Sequence, residues 1–255
     1  MKKGIDVYSG DGDIDYNKLN VDFIMIRAGY GKVYDDKLER NVVECLKRSI
    51  PFGFYWFSYA LSIADAEIEA KMCCDIADKY KPELPLAYDW EYESDNWCAR
   101  NGINNSNMIN KARAFLNYVD MRGYIPMLYT NLDYWNKGFS QLGNQFDIWF
   151  ANYDTSKPTI NCYMHQYTDK LNINGYYFDG DIIYSESEID NKAKLKKRIL
   201  NKVSNYLYNK YYRLAEEIID GVYGDKTTIP TRKENVEAAG YDYDVAQIFV
   251  TEILQ

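Results

Sequence analysis

Eight short apolar runs set the frame for the first 185 residues. They are Gly4–Val7, Phe23–Ala28, Phe52–Tyr59, Leu84–Glu91, Ile125–Thr130, Ile148–Asn152, Tyr163–Tyr167 and Phe178–Tyr184. Each has strand length, and several are near-continuous in apolar character, as expected of strands covered on both faces. Asp36–Ser49, Ile63–Tyr80 and Asn107–Arg122 read as amphipathic helices between them, with Leu38, Val42, Val43 and Leu46 marking the helical period in the first. Alternating strands and helices predict an α/β fold with a parallel sheet, and eight strands predict a closed (β/α) barrel. Little lies between Thr130 and Ile148, or between Tyr167 and Phe178. The barrel is therefore expected to be irregular and flattened on that side.

After Glu188 the chain changes character. Residues 190–210 carry a net charge of +6 and read as a basic, helical linker, against −9 for residues 1–189 and −5 for 211–255. The last segment predicts a small three-helix module: Leu214–Asp220, Arg232–Ala239 and Asp244–Leu254, with Gly221 and Gly240 placed to cap helix ends and Asp242 or Asp244 to start the third. The expected organisation is a barrel over 1–189, a linker over 190–210 and a helical module over 211–255.

The acidic body disfavours nucleic acid as a partner. No run of 18 apolar residues occurs, so no membrane insertion is expected. The start, Met1-Lys2-Lys3-Gly4-Ile5-Asp6, has no apolar stretch behind it, and no secretory signal is expected. Five cysteines (45, 73, 74, 98 and 162) are scattered without C-x-x-C spacing and read as reduced packing residues. With one histidine, His165, the chain lacks the material for histidine-rich zinc sites. No metal or cofactor is expected, and metal-free carboxylate chemistry is the economical reading.

Acids at predicted strand ends carry that chemistry. Asp89 and Glu91 close the fourth strand at i, i+2, a spacing that on a strand puts both on one face roughly 6.5–7 Å apart. Two convergent carboxyls are the minimal equipment for cleaving a glycosidic bond. Asp6 lies on the first strand and Asp181 on the last, neighbours in a closed barrel, so both are placed to flank one mouth. Four acids in one cleft repel and spread their pKa values, which keeps one protonated as an acid while others ionise.

These segments, taken in order, resemble glycoside hydrolase family 25. The matching pieces are Gly4-Ile5-Asp6-Val7-Tyr8-Ser9, Ile14-Asp15-Tyr16, Ile26-Arg27-Ala28-Gly29-Tyr30-Gly31, Gly53-Phe54-Tyr55-Trp56-Phe57, Asp89-Trp90-Glu91, Tyr129-Thr130-Asn131, Trp149-Phe150-Ala151-Asn152-Tyr153, His165-Gln166-Tyr167 and Asp179-Gly180-Asp181. The resemblance implies an irregular (β/α) barrel. It also implies hydrolysis of the β-1,4 bond from N-acetylmuramic acid to N-acetylglucosamine in bacterial peptidoglycan, with retention. On this resemblance Glu91 is the general acid and Asp89 orients the substrate's 2-acetamido group for attack on the anomeric carbon. A glycosyl-enzyme on an aspartate is the other route. Asp6 and Asp181 tune Glu91, and Tyr30, Tyr55 and Tyr129 match aromatic cleft positions. Trp56 stands where the family often has histidine and His165 where it often has tryptophan; both are expected near the cleft, His165 as a packing or hydrogen-bonding residue.

The C-terminal segment has its own resemblance. Leu214-Ala215-Glu216-Glu217-Ile218-Ile219-Asp220-Gly221-Val222-Tyr223-Gly224, Arg232-Lys233, Ala238-Ala239-Gly240-Tyr241-Asp242-Tyr243 and Val245-Ala246-Gln247 are similar to the type 7 cell-wall-binding repeat of phage lysins. It departs from the repeat in having Tyr223 before Gly224 in place of tryptophan. One copy implies weak glycan binding, with oligomerisation through the module a secondary expectation. The whole implies a phage or prophage endolysin, held in the host bacterial cytoplasm until release to the wall; a bacterial autolysin exported by another route would read the same. Two rivals are a chitinase, whose D-x-x-D-x-D-x-E strand is absent, and a non-catalytic wall-binding protein that keeps the barrel, against which the presence of all four acids argues.

Overall fold

The structure, a computed structural model, describes residues 1–153, 155–184, 213–225, 227, 229–241 and 243–254. The chain divides into two compact units, Met1–Leu195 and Lys196–Gln255. The expected linker over 190–210 lies outside the described residues.

All eight expected strands form in the first unit, with one short addition. They are β1 (Lys2–Val7), β2 (Phe23–Tyr30), β3 (Val33–Tyr34), β4 (Phe52–Phe57), β5 (Leu86–Asp89), β6 (Pro126–Asn131), β7 (Asp147–Ala151), β8 (Met164–Ile173) and β9 (Tyr176–Ile183). The order is β1-β9-β8-β7-β6-β5-β4-β2-β3, and β1 also pairs with β2. That last pairing closes eight strands into a barrel and leaves β3 as a small flap on β2. Among the described residues of this unit, helices α1 (Leu38–Arg48), α2 (Ile63–Tyr80), α3 (Tyr92–Arg100), α4 (Met108–Met121) and α5 (Leu132–Lys137) follow the strands. Helix α2 starts where Ser62 and Asp65 cap each other, side chain to backbone in both directions.

Each strand of the wall separates two apolar layers. Val7, Ile24, Ile26, Phe54, Trp56, Leu86, Tyr88 and Phe150 face outward onto the helices, joined by Ala70, Cys73 and Cys74 of α2 and Ala112, Phe115 and Leu116 of α4. Phe23, Met25, Tyr55, Ala87, Met127, Tyr129, Trp149, Met164 and Ile183 fill the interior. Strands buried on both faces explain the unbroken apolar runs. All five cysteines are free, four of them buried in this packing.

The structure corrects two expectations. The sheet is not wholly parallel: β9 runs antiparallel to both β8 and β1. The reason is the Asn174-Gly175 link, two left-handed residues at φ 51° and 91°, which is the two-residue turn of a hairpin. A parallel connection needs a crossover of a dozen residues or more, and none exists there. The second correction concerns the fourth predicted strand. It ends at Asp89, and Glu91 serves instead as the N-cap of α3, where its backbone N–H donates to Ser94 Oγ at 3.1 Å.

In the second unit residues 213–219 are helical, followed by helices Arg232–Ala238 and Tyr243–Ile253. Gly221 and Gly240 adopt φ of 80° and 81°, as helix ends require. Leu214, Ala215, Ile218, Val236, Ala246 and Val250 form its core. Asp244 lies within the last helix, while Asp242 is outside the described residues.

Gly53 sits where the wall is closely packed. A Cβ there would sit 2.7 Å from the Pro85 carbonyl oxygen and 2.8 Å from Leu84 Cβ and Met25 Sδ. Backbone on β4's flank cannot retreat, so Gly53→Ala is expected to cost about 1–3 kcal/mol. Thermal unfolding of the variant checks this, and an unchanged Tm contradicts it.

Candidate active site

Strand alternation assembles the site. Asp6 on β1, Arg27 on β2, Tyr55 on β4, Asp89 on β5, Tyr129 on β6, Trp149 on β7, Gln166 on β8 and Asp181 on β9 share the inward parity of their strands. The parallel strands deliver their C-terminal ends to one mouth. Because β9 runs the other way, its N-terminal part comes to that mouth. Asp179 pairs with Asp6 in register, and Asp181 pairs with Gly4 and Gln166. Asp179 thus joins the group, a residue that a parallel β9 would have put one inward position deeper than Asp181.

Asp6 and Asp181 face each other across the β1–β9 seam within hydrogen-bonding reach. Asp181 is fully buried, and its Oδ1 accepts from Trp149 Nε1 at 2.8 Å. Its Oδ2 has no donor among the described residues. A proton held between the two carboxyls supplies one. On the other side Gln166 Nε2 donates to Asp6 Oδ2 at 2.9 Å, while Gln166 Oε1 accepts from Tyr129 at 2.9 Å and from Tyr153 at 2.7 Å. Three partners fix the amide's orientation, so the tyrosines, Gln166 and the Asp pair form one chain.

Every acid in this group is pushed toward its protonated form. Burial is the first cause for Asp6, reinforced by the charges of Asp181 and Asp179 and partly offset by Gln166. Burial likewise raises Asp181, against the bond from Trp149. Asp89 is raised by burial and then by Glu91, with Arg27 pulling the other way. Glu91 is raised by burial and by Asp179, and lowered by the Tyr129 hydroxyl beside it. Asp179 itself is pushed up to about 6 by burial and by Asp11 and Asp169. Asp89 is 4% exposed, and its Oδ1 also finds no donor among the described residues.

The predicted residues are brought together with one exception. Tyr55 and Tyr129 both pack edge-on against Trp149, with centroids 5.8 and 5.0 Å away, beneath the carboxyls. Tyr30 lies apart, at the end of β2. There Arg27, ion-paired with buried Asp35 at 2.8 Å, is held between the rings of Tyr8 and Tyr30 at 4.4 and 5.1 Å. Sequence reasoning gave no role to Gln166, Trp149, Tyr153 or Arg27; the inward facing of the first two follows from the strand register, which the apolar runs do not carry.

Trp56 and His165 do not face the mouth. Both are fully buried, and each is the outward neighbour of an inward residue, Tyr55 and Gln166 respectively. Trp56 Nε1 donates to the Gly31 carbonyl at 3.0 Å beneath the β2–β3 hairpin. His165 Nε2 lies 2.9 Å from the Asn152 carbonyl and therefore carries the proton, leaving Nδ1 to accept from the Tyr184 hydroxyl at 3.3 Å. Their proximity to the cleft, expected from sequence, is corrected to a place in the outer wall.

The segment bearing Glu91 is braced from behind. Asp95 accepts from Trp90 Nε1 at 3.1 Å, from the Tyr134 hydroxyl at 2.6 Å and from Asn105. Buried Lys111 lies over the Trp90 ring at 4.9 Å. Among the described residues no cluster of His, Cys, Asp or Glu is arranged to hold a metal ion.

A raised carboxyl has a definite sign in stability. The folded state binds these protons more tightly than the unfolded chain, whose aspartates titrate at about 3.9. The stabilisation is full below that value and is lost as pH rises through the raised values of Asp6 and Asp181. Asp181→Asn keeps the acceptor for Trp149 and adds a donor for Asp6. It is expected to raise Tm at pH 8 by roughly 2–4 °C and to flatten the decline of stability with rising pH. A lower Tm at pH 8 contradicts the shared-proton account.

The comparisons agree with this geometry. The model of glycosyl hydrolases family 25 matches residues 5–176. The "Autolytic lysozyme" of Clostridium acetobutylicum is 26% identical over 186 residues, 71% of this chain and 54% of that protein, so the chain spans about half the length of this curated relative. Among solved structures, a family 25 glycosyl hydrolase from Bacillus anthracis is 26% identical with a TM-score of 0.63, covering 75% of this chain and 93% of the other. The modular autolysin LytC from Streptococcus pneumoniae, solved with a synthetic peptidoglycan ligand, is 25% identical with a TM-score of 0.61, covering 72% and 46%. The matched span runs from β1 to the β8–β9 turn and takes in Asp6, Asp89 and Glu91, and on that span the chain belongs to glycosyl hydrolase family 25.

Proposed function

We propose that this chain is a muramidase that cleaves the β-1,4 bond from N-acetylmuramic acid to N-acetylglucosamine in bacterial peptidoglycan, with retention. The observation that carries the reading is the pairing of Glu91, half-buried and held toward its protonated form, with Asp89 at the end of the strand before it, its carboxyl likewise raised by burial and by Glu91. Glu91 gives its proton to the leaving glycosidic oxygen as that bond breaks. Asp89 orients the substrate's acetamido group so that its oxygen is turned toward the anomeric carbon. That oxygen bonds to the carbon from the opposite face. Water then opens the ring so formed, giving its proton to the Glu91 carboxylate, and two inversions leave the configuration retained. This is the substrate-assisted exception to the two-carboxylate spacing rule. Asp6, Asp181 and Asp179 act through charge and hydrogen bonding on the pair. Tyr55 and Tyr129 are substrate-binding rings in this reading.

For the second unit we propose a single type 7 wall-binding module. Its support is the resemblance of its sequence and a three-helix core built on Leu214, Ile218, Val236 and Val250. Assembly through this module would add avidity to weak single-copy binding. The setting we propose is a phage or prophage endolysin that stays in the host cytoplasm until it reaches the wall, a reading supported by the same resemblance.

Digestion of purified peptidoglycan, with mass spectrometry of reduced products, tests the proposal. Wild type is expected to release fragments ending in reduced muramic acid, and Glu91→Gln to lose at least roughly 1000-fold in kcat while still pelleting with the wall. Intact glycan in the wild-type digest, with pelleting retained, sinks the catalytic reading in favour of a wall binder.

A further inference from the structure

The catalytic acids are the end points of two segments that continue into a second concavity. From β5, the Asp89 carbonyl accepts from Ser58 N at 2.8 Å, and the next residue, Tyr59, lines that concavity. From Glu91, α3 runs six residues to Trp97, roughly 9 Å along a helix axis. Tyr59 and Trp97 meet with ring centroids 5.5 Å apart, and Tyr30 meets Tyr59 edge-on at 6.4 Å. Together with Leu61, Lys32 and Arg100 they line a pocket of about 460 Å³. That volume lies within the range of small-ligand sites.

The pocket's chemistry is selective. Its walls are chiefly aromatic and aliphatic, and Trp97 is 38% exposed, which leaves its ring accessible. The rim charges are already matched: Lys32 Nζ pairs with Asp65 at 2.8 Å, and Arg100 pairs with Glu93. A charged peptide finds no uncompensated partner in those pairs. Their remaining N–H groups still suit neutral hydroxyls. The floor is rigid, because buried Glu69 accepts from Ser58 Oγ at 2.6 Å and from Tyr59 N at 2.9 Å and so fixes the Tyr59 backbone. Flat apolar faces beside neutral hydrogen-bonding groups fit a pyranose ring.

We infer that the Tyr30–Tyr59–Trp97 pocket is a saccharide subsite, taking a sugar unit of the same glycan strand beyond the two that flank the cut bond. This rests on the muramidase reading for the identity of the strand. A polymer cleaved at Asp89 and Glu91 must leave the mouth on both sides, and this pocket lies along one of them. Tyr30 bridges the two places, with Arg27 of the mouth against its ring and the pocket beside it. The subsite gives the enzyme a preference for longer glycans.

Equilibrium binding separates this inference from the muramidase reading. The probes are peptide-free di- and tetrasaccharides of alternating N-acetylglucosamine and N-acetylmuramic acid, added to the Glu91→Gln protein. Adding Trp97→Ala is expected to weaken tetrasaccharide binding about tenfold, the effect of losing roughly 1.4 kcal/mol of contact. Disaccharide binding should move less than twofold, and Trp97→Phe should recover most of the loss. Tetrasaccharide binding that is absent, indifferent to Trp97→Ala, or lost equally for the disaccharide overturns the subsite. If wild type still releases muramic-acid-ended fragments in that case, only the subsite fails. If wild type cleaves nothing while tetrasaccharide binding depends on Trp97, the subsite stands and the muramidase reading fails.

Discussion

The seam where β1 meets β9 holds the site together. Closing the barrel there brings half-buried Asp6 face to face with fully buried Asp181, with Trp149 and Gln166 donating from either side. Two ionised carboxylates cannot share such a place, so the pair holds a proton. Across the mouth Asp89 and Glu91 carry the same bias toward protonation, from burial and from the charge of Asp179, the register partner of Asp6 on β9. The protonated acid needed for glycosidic cleavage thus follows from barrel closure and from the parity of its strands. A buried acid group of this kind is a cost to folding, tolerated where it serves a reaction.

The outer shell answers a different need. Glu91 sits on the N-cap of a helix, where the backbone dipole favours the ionised form. Burial and the neighbouring Asp179 work in the opposite direction, and the net shift is upward. Asp95 with Trp90, Tyr134 and Asn105, and Lys111 over Trp90, keep that turn from relaxing toward solvent. A carboxyl free to swing outward would regain water and lose its raised pKa.

Much of this was legible in the sequence because burial on two faces leaves a mark. The unbroken run Phe52-Gly53-Phe54-Tyr55-Trp56 reads as a wall strand, and α2 was bounded correctly as Ile63–Tyr80 because its apolar period and Ser62 cap agree. Asp6, Asp89, Glu91 and Asp181 were found from strand ends. Direction and facing were harder. A hairpin at Asn174-Gly175 reversed β9 and brought Asp179 to the mouth, information held in two residues and outside any periodicity. Apolar runs buried on both faces carry no alternation, so Trp56 and His165 could not be assigned to the outer wall until the register was known. Helix α3 escaped notice because its nine residues, Tyr92–Arg100, are mostly polar and stabilised by contacts that Asp95 makes from far along the chain.

The central claim is that Glu91 holds its proton because of where the barrel puts it. Carboxyl carbon-13 NMR of the intact protein, with the Glu91 signal assigned by its absence in Glu91→Gln, reads that directly as a function of pH. The account predicts a Glu91 midpoint above the ordinary glutamate value of about 4.3, falling when Asp179 is replaced by Asn. A midpoint at or below that value, or one indifferent to Asp179, would contradict it.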